Sequence, residues 1–430
     1  MNMTVRIQLS IMMFLQFFIW GAWFVTMFPY LSEGLKFQGT DIGYAYSTTG
    51  FAAIISPLFV GMIADRFFSA ERVMSVLHLI GAVLMYYVST LTSPGPFFWV
   101  LLLYTLCYMP TLALVNSIAF SHMVSPEKEF PAIRVIGTIG WIVAGLTVGT
   151  VVRSFLGYNI EPTPIPMRIA AGASLLMGLY CLTLPHTPPK GRGQKVRVGD
   201  LLGLDALKLM KEPSFAIFII SSLLICIPLS FYYQSANGFL NAFQIPDAAS
   251  KMTMGQMSEI IFMLLMPLFF LRLGVKSMLI IGMLAWVLRY VLFAYFPSLD
   301  ASLGGTLGDP SSAVFLLYLG IILHGICYDF FFVTGQIYVD KKAPGDFRAS
   351  AQGFLTLVTL GIGMVIGNLI NGRVTQHYTV TSGDVVTTNW QMIWIIPAVM
   401  AGVVAVVFAI LFRDRVSARD ESKDEPVVMV

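Results

Sequence analysis

The longest polar stretch between the apolar runs of this chain is HTPPKGRGQKVRVGD, residues 186–200. It is rich in Pro, Gly and basic residues, a composition that is typical of a linker. Six apolar runs precede it and six follow it. The stretch therefore predicts two halves of equal helix number joined by a basic loop.

The composition indicates whether these halves lie in water or in a membrane. Hydrophobic residues make up 57% of the 430 residues, charged residues only 11%, and the mean hydropathy is +0.78. A soluble domain carries about 25% charged residues, so we predict an integral membrane protein. The runs are near the roughly 20 residues that a spanning helix needs, whereas barrel strands would alternate over about 10 residues.

The predicted fold is therefore an all-α membrane protein with twelve transmembrane helices. We expect an N-terminal six-helix half at 1–186, a cytoplasmic linker at 187–212, a C-terminal six-helix half at 213–414 and a cytoplasmic tail at 415–430. The predicted spans lie at about 7–31, 41–64, 73–93, 96–122, 133–155, 165–185, 213–240, 252–271, 276–296, 312–338, 349–372 and 389–412.

Positive charge predicts the orientation of these spans. Lys and Arg are concentrated in one set of loops, which includes the linker and the tail, and this bias is typical of cytoplasmic loops. Both termini are therefore expected on the cytoplasmic side. The formal net charge of +3 follows from the same bias, and we do not take it as a sign of nucleic-acid binding.

Chemistry other than transport finds little support in the sequence. The four cysteines fall inside predicted spans without metal-site spacing. No nucleophile–base pair or His/Asp metal cluster has convincing spacing, and no Gly-rich phosphate loop of the Walker type is present. We therefore predict no enzyme activity, no metal and no cofactor, and an ion gradient remains as the energy source. The short loops also leave no room for the output domain of a sensor.

Two six-helix halves joined by a basic loop are the plan of the major facilitator superfamily. The stretch GMIADRFFSAERV, residues 61–73, resembles the loop motif of that superfamily. Gly61, Asp65 and Arg66 match the motif, together with Arg72, whereas Phe68 and Ser69 stand where a second glycine is usual. The resemblance implies a gating loop, and an ordinary charged turn is the alternative.

One carboxylate lies in the middle of the eighth span. Glu259 is the only charged residue between Lys251 and Arg272, and Gln256 shares its helix face at a spacing of three. A charge at the bilayer centre costs about 2.5–3.5 kcal/mol, so such residues face a cavity or a partner. The pair can hydrogen-bond a polyhydroxyl compound or a nucleobase edge, and the carboxylate can carry a proton. The alternative is a buried ion pair that only positions helices.

The fifth and tenth spans carry similar groups. Arg134, Thr138 and Trp141 share one face, unless Arg134 only reaches the cytoplasmic interface. His324 and Tyr328 share another face, and Asp329 is rotated from Tyr328 by about 100°. This trio predicts a proton relay or a sugar site. The alternatives are a structural histidine and an Asp329 that pairs with Arg289 or Arg134.

The seventh span adds Ser230 and Tyr233, followed by Gln234 and Asn237, on the stretch SFYYQSANG. Polar groups of this kind can hydrogen-bond one helix to another. Taken with the other spans, they predict a central cavity lined by aromatic rings, suited to flat ligands with hydroxyl groups.

Several stretches resemble the nucleoside/proton symporter family, the bacterial nucleoside permeases of the major facilitator superfamily. The likeness runs from the first span to the last. The stretches are FLQFFIWGAW (14–23), YMPTLALVNS (108–117), FPAIRVIGTIG (130–140), LLGLDALKL (201–209), QMSEIIF (256–262), YDFFFVTG (328–335) and RASAQG (348–353).

The resemblance implies uptake of nucleosides with protons across the inner membrane of a bacterium, by a monomer. It assigns substrate binding to the polar and aromatic residues of spans five, eight and ten. Trp141 replaces a Phe that is common in the family, His324 replaces an aromatic residue, and Ser230 and Tyr233 stand at positions where amides are usual. These departures bear on which nucleosides are taken.

The sequence therefore predicts nucleoside, proton and lipid bilayer as partners, with no nucleic acid. The predicted substrate-binding residues are Arg134, Thr138, Trp141, Ser230, Tyr233, Gln256, Glu259, His324 and Tyr328. Glu259 and Asp329 are the candidates for proton coupling. The alternative function is transport of a sugar or another small polar solute or drug by the same fold.

Overall fold

The structure is a computed structural model that describes residues 2–59, 67–189, 199, 202–343, 348–382 and 385–413. The regular secondary structure of this part of the chain is helical apart from one short hairpin and an isolated bridge, which confirms the predicted all-α class. Ten helical segments are long and apolar enough to cross a membrane. The predicted gating residues Gly61, Asp65 and Arg66 lie outside the described residues, as do residues 190–198, 200 and 201 of the predicted linker and the whole tail.

The elements before the linker are α1 (Met3–Trp23), α2 (Met27–Pro29), a π-helical turn (Tyr30–Gly34), α3 (Gly39–Phe59), α4 (Ala70–Val88), α5 (Pro94–Ser121), α6 (Pro126–Leu146), a second π-helical turn (Thr147–Val151), α7 (Val152–Leu156), α8 (Ile165–Tyr180) and a 3₁₀ turn (Cys181–Thr183). Proline stands at the first position of α5 and α6. Its fixed φ suits that position, where the missing N–H would have no helical partner.

The later elements are a 3₁₀ helix (Leu204–Lys211), α9 (Pro213–Ala242), α10 (Ala248–Ser302), α11 (Val314–Ile322), α12 (His324–Tyr328), a π-helical turn (Asp329–Val333), α13 (Thr334–Lys342), α14 (Arg348–Thr356), a further π-helical turn (Leu357–Gly363), α15 (Met364–His377), β1 (Thr379–Ser382), β2 (Val385–Thr388) and α16 (Trp390–Leu411). The two strands pair antiparallel, with Thr379 opposite Thr388.

A single glycine divides α10 into two arms. As one straight helix its 55 residues would extend about 80 Å, far beyond the roughly 30 Å of a bilayer core. Gly274 has φ 70° and ψ 169°, which is not helical and which only glycine adopts readily. The Nζ of Lys276, just after this bend, donates to the carbonyls of Ala409 and Phe412 at the end of α16. That cation satisfies carbonyls that α16 leaves without helical partners.

Two apolar cores account for most of the buried surface. One is formed by residues from Leu9 to Leu184, and the other by residues from Ala206 to Phe412 together with Val25. Between these two parts, α3 packs on α15 and α6 packs on α10. A Cβ at Gly43 would lie 2.9 Å from the Cα of Gly372, so small residues allow α3 and α15 to approach closely. The candidate site lies beside the α6–α10 contact.

Candidate functional site

A small cavity lies where α1, α6, α9 and α10 meet. Three of its lining residues belong to the predicted site: Trp141 on α6, Tyr233 on α9 and Gln256 on α10. The full lining is Val25, Trp141, Gly145, Tyr232, Tyr233, Ala249, Met252, Thr253 and Gln256. The fold therefore brings Trp141 into one polar and aromatic pocket with Tyr233 and Gln256, which follow it by about 90 and about 115 positions.

Glu259 lies one helical turn beyond Gln256 and faces His324. The distance from His324 Nε2 to Glu259 Oε2 is 4.0 Å, and the Glu259 side chain is 13% exposed. Two glycines allow this approach of α10 to α12. A Cβ at Gly325 would lie 2.7 Å from the backbone nitrogen of Glu259, and a Cβ at Gly255 would lie 3.0 Å from the Cβ of His324.

A serine hydroxyl fixes the same crossing. Ser258 Oγ donates to the carbonyl of Ile322 at 2.5 Å and accepts from the backbone N–H of Gly325 at 2.9 Å. Both partners are backbone groups at the junction of α11 and α12. The register of Glu259 against His324 is thus fixed by two hydrogen bonds between the Ser258 hydroxyl and backbone groups of the facing segment.

Aromatic rings surround His324. Its ring centroid is 5.2 Å from that of Tyr232, 6.1 Å from that of Tyr233 and 5.9 Å from that of Tyr328. These separations are typical of interacting aromatic pairs. The predicted residues Tyr233, His324 and Tyr328 therefore form one wall of aromatic rings. Tyr232, which was not predicted, belongs to the same wall.

Arg134 contributes positive charge from α6. Its guanidinium carbon lies 4.3 Å from the ring centroid of Phe17, and its positive charge attracts the negative charge of Glu259. Thr138 is half-buried on the same face, between Arg134 and Trp141. Trp141 in turn contacts Trp20 with ring centroids 5.6 Å apart. One half of the chain thus places a cation opposite the acid of the other half.

Asp329 is fully buried, and neither of its carboxylate oxygens has a hydrogen-bonding partner in the described part of the chain. The direct pairing with Arg289 or Arg134 that the sequence left open is therefore not formed. The charge of Glu259 acts on Asp329. The two candidate proton-coupling acids consequently lie within electrostatic range of each other.

Ser230 is the predicted residue that lies apart from this group. Its hydroxyl donates to the carbonyl of Ile227 at 2.7 Å, and a Cβ at Gly367 would lie 2.6 Å from it. It is fully buried between α9 and α15 and does not line the cavity. The adjacent aromatic residues of the stretch SFYYQSANG gave no signal that Tyr232, rather than Ser230, reaches the cavity.

A second polar cluster joins the two halves at the helix ends opposite the linker. We call it the Glu161 cluster; it comprises Arg153, Glu161, Asn237, Asn241 and Asp247. Glu161 Oε2 accepts from Asn237 Nδ2 at 2.8 Å and from Asn241 Nδ2 at 2.9 Å, and its Oε1 accepts from the backbone N–H of Ala249 at 2.9 Å. Arg153 Nη1 donates to Asp247 Oδ1 at 2.8 Å.

Asn237 was one of the polar residues singled out in the seventh span, but the other members of the Glu161 cluster lie in loops and helix ends, where no apolar run draws attention to them. Glu161 is 1% exposed, and this burial raises the pKa of its carboxyl, with the three hydrogen bonds and the charge of Arg153 acting in the opposite direction. Within the described residues, no three His, Cys, Asp or Glu side chains come together as metal ligands would.

A bundle of apolar helices around a cavity with aromatic walls, and with acids and a cation beside it, defines a membrane transporter. The family model described as "Nucleoside H+ symporter" matches residues 3–417, and the chain belongs to this family. The family recognised from the sequence is thereby confirmed. Its members are transporters and not enzymes.

The chain is similar to three proteins in particular. It is 45% identical to the putative nucleoside transporter YegT of Escherichia coli K12, over 96% of this chain and 95% of that one. It is 35% identical to the xanthosine permease of the same organism, over 96% of each. The crystal structure of the nucleoside transporter NupG superposes with a TM-score of 0.82 at 35% identity, covering 96% of this chain and all of that one.

Proposed function

We propose that the chain carries nucleosides together with protons into a bacterial cell. The observation that carries this proposal is the wall of aromatic rings and carboxylates beside the cavity. Trp141, Tyr233 and Tyr328 offer flat surfaces for a base, and Gln256 and Glu259 offer an amide and a carboxylate for ribose hydroxyls. Arg134 and Thr138 complete the site from α6, and His324 backs Glu259.

Coupling to protons is assigned to Glu259 and Asp329. A carboxyl group can bind and release a proton, and Asp329 lies buried without a hydrogen-bonding partner among the described residues, while Glu259 lies one helical turn beyond the cavity-lining Gln256. Because the two acids interact electrostatically, protonation of one changes the affinity of the other for a proton. We assign the first role in substrate recognition to Glu259.

Transport is proposed to follow alternating access between halves at 1–186 and 213–414. The two arms of α10, counted separately, and the 21-residue helix α3 bring the ten candidate spans to twelve. The Glu161 cluster bridges the halves at one end, so it must open when the cavity faces that side. The loop with Gly61, Asp65 and Arg66 is proposed to act at the opposite, cytoplasmic end.

The proposed setting is the inner membrane of a bacterium, with both termini cytoplasmic and the protein acting as a monomer. The basic linker and tail support this orientation, since positive loops stay on the cytoplasmic side.

Substrate competition in proteoliposomes tests the proposed substrate class. Proteoliposomes that hold the purified protein are loaded with unlabelled uridine. The entry of labelled uridine is then measured with and without a hundredfold excess of an unlabelled nucleoside or sugar outside. We expect nucleosides to block entry and sugars to leave it unchanged. Entry that sugars block, or a failure of uridine to exchange in folded protein, would favour the alternative of a sugar or other small polar solute.

A further inference from the structure

Arg289 is a cation enclosed in the second arm of α10. It is fully buried, its Nε donates to the carbonyl of Gly320 at 2.9 Å, and its Nη1 and Nη2 have no hydrogen-bonding partner in the described part of the chain. No acidic side chain among the described residues pairs with it. A cation in the membrane interior is costly to retain, and such residues usually serve a functional site.

The guanidinium packs on an aromatic ring instead of on an acid. Its central carbon lies 4.0 Å from the ring centroid of Tyr232. A cation over the face of a desolvated tyrosine ring is held by the ring quadrupole more strongly than at an exposed site. This contact fixes the plane of the Tyr232 ring, which also lines the cavity.

The contact continues from Tyr232 to the site. Tyr232 stacks on His324 with ring centroids 5.2 Å apart and planes 23° apart, and His324 Nε2 lies 4.0 Å from Glu259 Oε2. We call these four groups the Arg289 column. The column runs from one arm of α10 through α9 and α12 to the other arm of α10.

We infer that Arg289 is a positioning residue for substrate binding: through Tyr232 it holds the His324 ring against Glu259. This inference rests on the proposed function, because Glu259 and His324 are the residues it positions. Arg289 itself does not line the cavity, and the cavity-lining residue that its guanidinium packs on is Tyr232. If it positions Glu259, its removal weakens substrate binding more than it slows the transport cycle.

Uridine uptake kinetics separate this role from a purely structural one. Arg289→Met removes the cation and keeps an unbranched apolar chain, and we expect KM for uridine to rise about 30-fold, the size of a desolvated cation–π contact. We expect Vmax per folded protein to stay within about twofold, since the steps after binding are not touched. Arg289→Lys keeps a cation and should restore part of the KM.

The double variant with Tyr232→Leu tests whether the column acts as one unit. Removal of the ring breaks the same contact, so Arg289→Met should add little to the KM of Tyr232→Leu. Tyr232→Phe keeps the ring and should raise KM less than Tyr232→Leu. Independent, multiplicative effects of the two substitutions would overturn the inference.

Lys276→Met is the matched control. It removes a partly buried cation from the same arm of α10, and this cation bonds to backbone carbonyls away from the cavity. We expect less folded protein with an unchanged KM. The same pattern in Arg289→Met would contradict the positioning role. If Arg289→Met does not fold, the comparison of Tyr232→Phe with Tyr232→Leu tests the inference instead. Equal KM values for these two variants would overturn the positioning role of Arg289.

The wild-type protein separates the two levels of the argument. If it neither binds nor exchanges uridine or adenosine, the proposed function fails before the column is tested. If it exchanges uridine and the column variants keep its KM, only the inference about Arg289 fails.

Discussion

Removal of the Glu161 carboxylate should open the end of the transporter that the Glu161 cluster closes. Glu161→Ala deletes three hydrogen bonds between the halves, from Asn237, Asn241 and the backbone of Ala249. At a net ~1 kcal/mol for each buried hydrogen bond, the closed form loses about 3 kcal/mol relative to the open form. This loss corresponds to a shift of roughly 150-fold in the closed–open equilibrium.

The Arg153–Asp247 pair in the same cluster supplies the control. Its two side chains are 35% and 36% exposed. An ion pair so exposed contributes about 0.2–1 kcal/mol. Arg153→Gln should therefore shift the same equilibrium about fivefold or less. The comparison holds the location constant and contrasts three buried hydrogen bonds with one exposed ion pair.

Thiol labelling measures the shift. Ser250 lies next to the cluster, and its Oγ is 2.7 Å from that of Thr150 on the other half. Ser250→Cys, combined with Cys107→Ser, gives a thiol that a membrane-impermeant maleimide reaches when this end opens. The labelling rate should rise roughly 150-fold in Glu161→Ala, within the limit set by full opening. A rate equal to that with Glu161 intact, in folded protein, would refute the assignment of this cluster as the closing contact.

Three further predictions follow from the same contacts. Burial raises the pKa of Glu161 above its ordinary value of 4.5 in the closed form, so this form is most favoured below pH 4.5 and loses stability as the pH rises through the raised pKa. The rate of labelling of the Ser250→Cys thiol, corrected for thiolate content, should therefore increase with pH, and Glu161→Ala should abolish that increase. Gly325→Ala should destabilise the protein by about 1–3 kcal/mol, because its Cβ would meet backbone atoms of α10 at the crossing. Thermal unfolding compares it with Gly353→Ala, where nothing lies within 4 Å of the added Cβ, and equal midpoint temperatures of unfolding would contradict the prediction. Glu259→Gln removes the charge from the wall beside the cavity and should weaken uridine binding roughly 10- to 150-fold, the range for a hydrogen bond to a charged group. Equilibrium binding and its pH dependence check this, and normal binding with normal coupling would show that Glu259 serves neither substrate recognition nor proton coupling.

The fold class and much of the site could be predicted from the sequence. Apolar runs and basic loops identify spanning helices because the bilayer imposes a length and a charge bias. Glu259 and Gln256 could be singled out for the same reason, since polar side chains three apart in an apolar run must share one protected face. The separate predicted spans 252–271 and 276–296 place a break where the left-handed φ of Gly274 divides α10 into two arms, but the sequence alone gives no backbone angle.

Contacts between distant segments could not be predicted. Ser230 and Tyr232 lie two positions apart on α9 and therefore point to opposite sides of the helix. Ser230 packs on Gly367, whereas Tyr232 faces the cavity and Arg289, and the sequence does not say which of these two sides faces the cavity. The rotation of a helix that is apolar on every side depends on its neighbours, so periodicity does not resolve it. Glu161 was missed because a single acid in a loop has no pattern around it; only the folded chain places three donors against it.

Accumulation of labelled uridine and adenosine in proteoliposomes, with and without an inward proton gradient, tests the central claim most directly. The account predicts accumulation above the external concentration when the gradient is imposed, and its loss when a protonophore collapses the gradient. Exchange of nucleosides without gradient-driven accumulation would contradict the proton coupling assigned to Glu259 and Asp329. Absence of any nucleoside movement in folded protein would contradict the proposed substrate itself.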